Sequence, residues 1–162
     1  MNYPYEEIVE GETILRIPPD ERHELICDRL HEFLAAALLD NQVSRILPRR
    51  SIIQISTGTM VRPDLALITA ASGKPWLVAE IINSHDHKAD TVIKKTSYEN
   101  CNIPRLWMVD ARYDNVEIYQ GGPYGLALKS ILAGEDRVKE SLLPKLSFSI
   151  RELFAKNPPP NR

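Results

Sequence analysis

Cysteine is scarce in this chain. Its two copies among 162 residues, Cys27 and Cys101, are far apart and match no metal or redox spacing. That excludes a disulfide scaffold or a thiolate metal site, and both read as reduced packing residues in helical segments. Long hydrophobic runs are missing too. No apolar stretch approaches the roughly 20 residues that span a bilayer, so no membrane association is expected. The acidic segment Met1 to Glu12 has no basic stretch followed by an apolar one, so it does not read as a secretory signal. Together these absences place the chain in the cytoplasm. Positive charge is also not in excess: the formal net charge is -2, so no global field draws the chain to nucleic acid or to an anionic membrane. A polyanionic partner would have to be met by a local basic rim. Arg45, Arg49, Arg50, Lys88, Lys94 and Lys95 are the candidates, against a plainer reading of Arg49-Arg50 as solvated surface.

What is present is the composition of an ordinary globular protein, 43% hydrophobic and 26% charged. A chain of 162 residues is the size of one domain and buries about two thirds of its unfolded surface. Glu12 to Ile17 alternates polar and apolar residues and ends at Pro18-Pro19, as a short edge strand does. Asp20 can cap a helix whose Leu25, Ile26, Leu30, Phe33, Leu34, Ala37 and Leu38 recur at spacings of three and four. Three β-rich runs follow, Ser51 to Ser56, Asp64 to Thr69 and Trp76 to Ile82; the last two are apolar enough for strands covered on both faces. Asp86 to Asn100 reads as a helix with Ala89, Val92, Ile93 and Thr96 on one face. Leu106 to Val109, Val116 to Tyr119 and Tyr124 to Ile131 read as strands, and Ser149 can cap a short terminal helix to Ala155.

No repeat or linker divides the chain. The expectation is a single α/β domain over residues 1–156, of pattern β-α-β-β-β-α-β-β-β-α, with a disordered tail at 157–162. Three consecutive strands before the second helix argue against a doubly wound sheet, which alternates strand and helix throughout.

The segments Asp64 to Thr69 and Trp76 to Ile82 flank a turn near Ser72. Pairing symmetric about residue 72 sets Asp64 opposite Glu80, with β-carbons about 5 Å apart on one face. Two neighbouring, partly buried carboxylates are costly without a compensating charge, and a divalent cation supplies one. Glu80 also interrupts an apolar run where a central strand would carry an aliphatic residue. The alternative is an ion pair between Glu80 and a cation from a covering helix, with Asp64 merely opening its strand.

A set of motifs in order carries a resemblance. Arg62-Pro63-Asp64-Leu65, Val78-Ala79-Glu80-Ile81-Ile82-Asn83-Ser84, then Asp90, Lys94 and Tyr98 at four-residue intervals, then Ile103-Pro104-Arg105-Leu106-Trp107-Met108-Val109-Asp110 resemble the Uma2 family. Glu7-Ile8-Val9-Glu10-Gly11-Glu12 and His23 fit it as well. That family is similar to PD-(D/E)XK restriction-type endonucleases. The resemblance implies a restriction-endonuclease-like fold, a central mixed β-sheet flanked by helices, with catalytic Asp64, Glu80 and Lys94 and accessory Glu7 and His23. The superfamily's lysine stands two residues after the glutamate. Here that position is Ile82, so Lys94 on the following helix is the migrated candidate, although Asp90 and Lys94 are also spaced as an exposed helical ion pair.

The implied function is hydrolysis of DNA phosphodiester bonds with Mg²⁺ or Mn²⁺. The metal would be held by Asp64, Glu80, the backbone carbonyl of Ile81 and waters. Cutting two strands would favour a homodimer. Two alternatives stay open: a non-catalytic nucleic-acid-binding or protein-interaction module retaining the nuclease fold, and a structural domain whose Asp64-Glu80 pair is neutralised by Lys94. His85 and His87 form a His-x-His pair, but no third metal ligand is visible. Tyr98 and Trp107 read as packing residues rather than base-stacking platforms, and Gly121-Gly122 as a turn without the context of a phosphate loop.

Overall fold

A computed structural model describes residues 3–83 and 88–156. In chain order its elements are β1 (Tyr5–Val9), β2 (Glu12–Arg16), α1 (Glu21–Ala37), β3 (Ser44–Ile46), β4 (Ile53–Ser56), β5 (Thr59–Val61), β6 (Leu65–Thr69), β7 (Pro75–Ile82), α2 (Lys88–Asn100), β8 (Arg105–Asp110), β9 (Asn115–Gly122), β10 (Gly125–Ala133), β11 (Arg137–Glu140), β12 (Leu143–Ser149) and α3 (Ile150–Phe154).

Their assembly is a six-stranded mixed sheet, in order β10-β9-β8-β7-β6-β3, flanked by a four-stranded sheet β2-β1-β5-β4 and the hairpin β11-β12. Among the described residues only β7 and β8 pair in parallel, and α2 lies on the crossover between them. Period-two alternation along β7 divides its side chains between two cores. Leu77, Ala79 and Ile81 face a core shared with Ile26, Leu30 and Leu34 of α1 and with β12 and α3. Val78 and Ile82 face a second core that holds Tyr98 of α2, Met108 of β8 and Val9 and Val61 of the small sheet.

Local chemistry explains the element ends. The Asp20 carboxylate accepts the His23 N–H at 2.8 Å and caps α1. Ser149 and Glu152 exchange the two bonds of a capping box that starts α3. Glu10 and Gly11, both at positive φ (52° and 82°), close the β1-β2 hairpin, a conformation that matches the strand twist.

The structure departs from sequence expectation in five places. β1, β3, β5, β11 and β12 are additional strands, most of them short or charged, so alternation in them is too brief to read. The strand expected over Ser51 to Ser56 starts at Ile53. Gly121-Gly122 ends β9 rather than forming the turn, and Cys101 lies just past α2. The face of α2 is also corrected: Val92 and Ile93 are exposed, while Lys94, Ser97 and Tyr98 are buried. The helix turns its polar stripe inward because that stripe meets charges on the sheet. His85, His87 and the tail 157–162 lie outside the described residues.

Candidate active site

The site forms where β6 stops and β7 continues. Leu65 faces Ala79, Ala66 faces Val78 and Leu67 faces Leu77. Continuing that register by one residue sets Asp64 opposite Glu80, the pairing that symmetry about residue 72 predicts. Past Leu65 no strand residue is left to take the Ile81 N–H, and the Asp64 Oδ2 accepts it instead at 2.8 Å. Peptide groups alternate sides along a strand, and the Ile82 carbonyl accepts from Ala111 N–H on the β8 side. The Ile81 carbonyl therefore turns to the same notch as Asp64.

Two ion clusters meet at this notch. In the first, Asp64 is 3% exposed, with His23 Nε2 3.3 Å from Oδ2 and Arg50 Nε 3.3 Å from Oδ1. Arg50 also pairs with Glu24 of α1. Burial opposes the Asp64 charge, but His23, Arg50 and the Ile81 N–H outweigh it and hold the carboxyl below its usual range. His23 is buried as well, and Asp64 raises its pKa against that burial. Arg50, expected at a basic rim, is 2% exposed and belongs to the interior. A guanidinium can be buried there because two carboxylates face it.

In the second cluster, Lys94 Nζ from α2 lies 2.6 Å from Glu80 Oε1 and 2.9 Å from Glu7 Oε2. The Tyr98 hydroxyl donates to the same Glu80 Oε1 at 2.6 Å. Glu7, on β1, accepts from the Arg62 N–H and Arg16 Nε, each at 2.7 Å. Burial opposes the Lys94 charge, yet Glu80 and Glu7 raise its pKa above the ordinary lysine value. The Glu80 pKa is raised as well: burial, reinforced by Asp64 and Glu7, pushes it up to about 7 despite Lys94. Lys94 is thus buried rather than exposed, and its carboxylate partners are Glu80 and Glu7.

Asp64, Glu80, Glu7, His23, Lys94 and the Ile81 segment all line one small cavity of about 60 Å³. Every proposed catalytic or accessory residue therefore reaches the same space. Its donors are hard oxygens, and among the described residues two of them accept no hydrogen bond, although Arg50 Nε lies 3.3 Å from Asp64 Oδ1. Asp64 Oδ1 is buried without a hydrogen-bond partner, and both donors to Glu80 take Oε1. Among the described residues no three His, Cys, Asp or Glu side chains form a ready metal cage. The set fits a cation that accepts two carboxylates, a carbonyl and water. Sequence reasoning missed Arg50, Arg16 and the hydroxyl of Tyr98 as members of the site. The four-residue spacing of Lys94 and Tyr98, which stacks them on one helix face, was the signal for the last.

The mixed sheet with its flanking helices is an α/β fold that matches that of a solved "putative nuclease". A crystal structure of a "putative nuclease belonging to DUF820" from Anabaena variabilis ATCC 29413 superposes with a TM-score of 0.79, covering 94% of this chain and 90% of that one at 15% identity. The chain belongs to the Uma2 family, described as "Putative restriction endonuclease", whose pattern matches residues 3–151. That membership supports a nuclease-like function. A cryo-EM structure of a DrdV-DNA complex matches with a TM-score of 0.39 and 12% identity, over 85% of this chain and 14% of the other. No curated protein matches the chain. Among the described residues no helix is long and apolar enough to cross a membrane.

Proposed function

We propose that this chain is a metal-dependent endonuclease that hydrolyses DNA phosphodiester bonds. The observation that carries the reading is the convergence of Asp64 and Glu80, from paired positions on β6 and β7, on one cavity that a buried lysine also enters. Asp64, Glu80 and the Ile81 carbonyl would hold Mg²⁺ or Mn²⁺. Such an ion lowers the pKa of an attacking water and offsets charge on the phosphate.

The chain's own residues do the positioning. The Ile81 N–H fixes the Asp64 carboxylate, and His23 and Arg50 keep it ionised. Tyr98 and Lys94 clamp Glu80 Oε1 and turn Oε2 away from themselves. Because Glu80 and Glu7 raise its pKa, Lys94 stays protonated at neutral pH. It is a poor general base and a good fixed charge, placed to stabilise the extra negative charge on a phosphate in the transition state. Glu7 holds Lys94 from the far side, a positioning role.

Nicking of supercoiled plasmid tests the proposal, with Mg²⁺, with Mn²⁺ and with chelator, on the wild type and on Asp64→Ala and Glu80→Ala. Cation-dependent nicking that both variants lose is expected. Equal behaviour of all three proteins would replace it with a non-catalytic module on the same fold.

A further inference from the structure

A second hollow adjoins the active-site cavity. It is a groove of about 600 Å³ that shares Ile82, Thr91 and Met108 with that cavity and runs outward between α2 and the β8-β9 hairpin. Its walls carry two aromatic rings, each with a cation on it. Arg112 lies 5.2 Å from the Tyr113 ring centroid and Lys95 lies 4.8 Å from that of Tyr119. Tyr113 is nonetheless 71% exposed, so much of its ring remains open to a ligand. Val92, 55% exposed, adds an apolar wall on α2. The Glu117 carboxylate accepts from the Tyr119 hydroxyl at 2.6 Å and fixes that ring.

We infer that this groove seats an unpaired base of a DNA strand whose backbone crosses the active site, so that the preferred substrate is single-stranded or locally unpaired DNA. The inference rests on the nuclease reading for the position of the scissile phosphate. Three observations lead to the base. A groove that shares its inner wall with the catalytic cavity receives what is bonded to the reacting group, and in a polynucleotide that is the neighbouring nucleotide. The open Tyr113 ring offers a stacking surface that any base can use. The third is charge. Duplex recognition through phosphates needs a broad basic footprint, whereas the chain's net charge is -2. In the groove the cations Lys95 and Arg112 are balanced by Asp110 and Glu117, and Arg112 is held by Asp110 at 2.9 Å. Within the groove, where the charges cancel, stacking supplies the binding, and a base buried in a duplex cannot stack on a protein ring.

Fluorescence anisotropy with an end-labelled 12-nucleotide DNA strand, its blunt duplex and an RNA strand of the same sequence tests this, in chelator so that nothing is cut. The wild type should bind the DNA strand about tenfold or more tightly than the duplex. Tyr113→Ala should weaken strand binding by about tenfold, with Tyr113→Phe restoring it, since loss of one stacked base costs a factor of that order. Tyr113 is exposed enough for these variants to fold. Absent strand binding, equal or tighter duplex binding, tighter binding of RNA than of the DNA strand, or an unaffected Tyr113→Ala protein would each overturn the inference. The nuclease reading fails separately. Strand binding by a wild type that never nicks DNA keeps the groove and removes catalysis, whereas duplex cutting untouched by Tyr113→Ala keeps catalysis and removes the groove.

Discussion

The two sides of the six-stranded sheet are built to different rules. On the side of α1, Leu65, Leu67, Leu77, Ala79 and Ile81 pack against Ile26, Leu30 and Leu34, and Phe33 stacks on Phe148 with centroids 4.4 Å apart. On the side of α2, the apolar cluster around Tyr98 is interrupted by Glu7, Glu80 and Lys94, all largely removed from water. Burying ions is costly, and replacing such a set with apolar residues often leaves stability unchanged or improved. The α1 side serves the fold along most of its length, and only the first turn of α1 sends His23 and Glu24 to Asp64 and Arg50. The α2 side carries charges that the fold does not require, which is how a functional site differs from a core.

The largest expected effect follows from removing a carboxylate. Asp64→Ala or Glu80→Ala should lower plasmid nicking by about a thousandfold or more, since a metal-held phosphate is stabilised by several kcal/mol. Nicking within tenfold of wild type would show that the charged side is only structural.

Lys94→Met, which keeps the stem and removes the charge, should act on both properties. It leaves Glu7 and Glu80 without their shared partner. The expected cost is about 3 kcal/mol in urea unfolding, together with a loss of about a hundredfold or more in nicking by the protein that remains folded. Leu30→Ala, on the other side, should cost about 2–5 kcal/mol through the cavity it leaves. Its nicking per folded molecule should be unchanged. If Leu30→Ala impairs catalysis as strongly as Lys94→Met, the division between the two sides is false.

A smaller effect concerns pH. Burial together with Asp64 and Glu7 raises Glu80 to about 7. In the metal-free chain, the folded form then keeps a proton between roughly pH 4.3 and 7 that the unfolded form releases. Stability contributed by protonated Glu80 is thus present at low pH and is lost as pH rises through about 7. His23, whose pKa is also raised, acts in the same direction. The difference in Tm between wild type and Glu80→Gln, measured in chelator across this window, should move against wild type as pH rises. A difference that stays flat would show that Glu80 is ionised throughout. The smallest effect is expected from Arg22→Ala, whose pair with Asp114 is solvent-exposed at 2.8 Å. It should shift stability by less than about 1 kcal/mol.

Much of this was legible in advance, for reasons that differ by element. Asp20 and Ser149 are short polar caps before apolar periodicity, and both start helices as expected. The register of β6 on β7 could be read because a tight turn leaves few pairings, and it brought Asp64 and Glu80 together. β1 was not legible, since Tyr5 to Val9 carries two glutamates, one of them buried by long-range contacts. The face of α2 was misread for a related reason. Hydrophobicity predicts which side a helix buries only when its partner is apolar, and here the partner is a carboxylate.

The sequence by itself determined the family, the two strand-borne acids and the helix that carries Lys94, because these depend on order and short spacing. Tertiary structure alone decided that Arg50 is interior, that Glu7 and Glu80 share one lysine, and that Tyr98 bonds to Glu80. Those contacts join residues 14 to 87 positions apart. Nothing local to either partner signals such a contact, because the energy that makes burial of a charge tolerable comes from the opposite charge that the fold delivers to it.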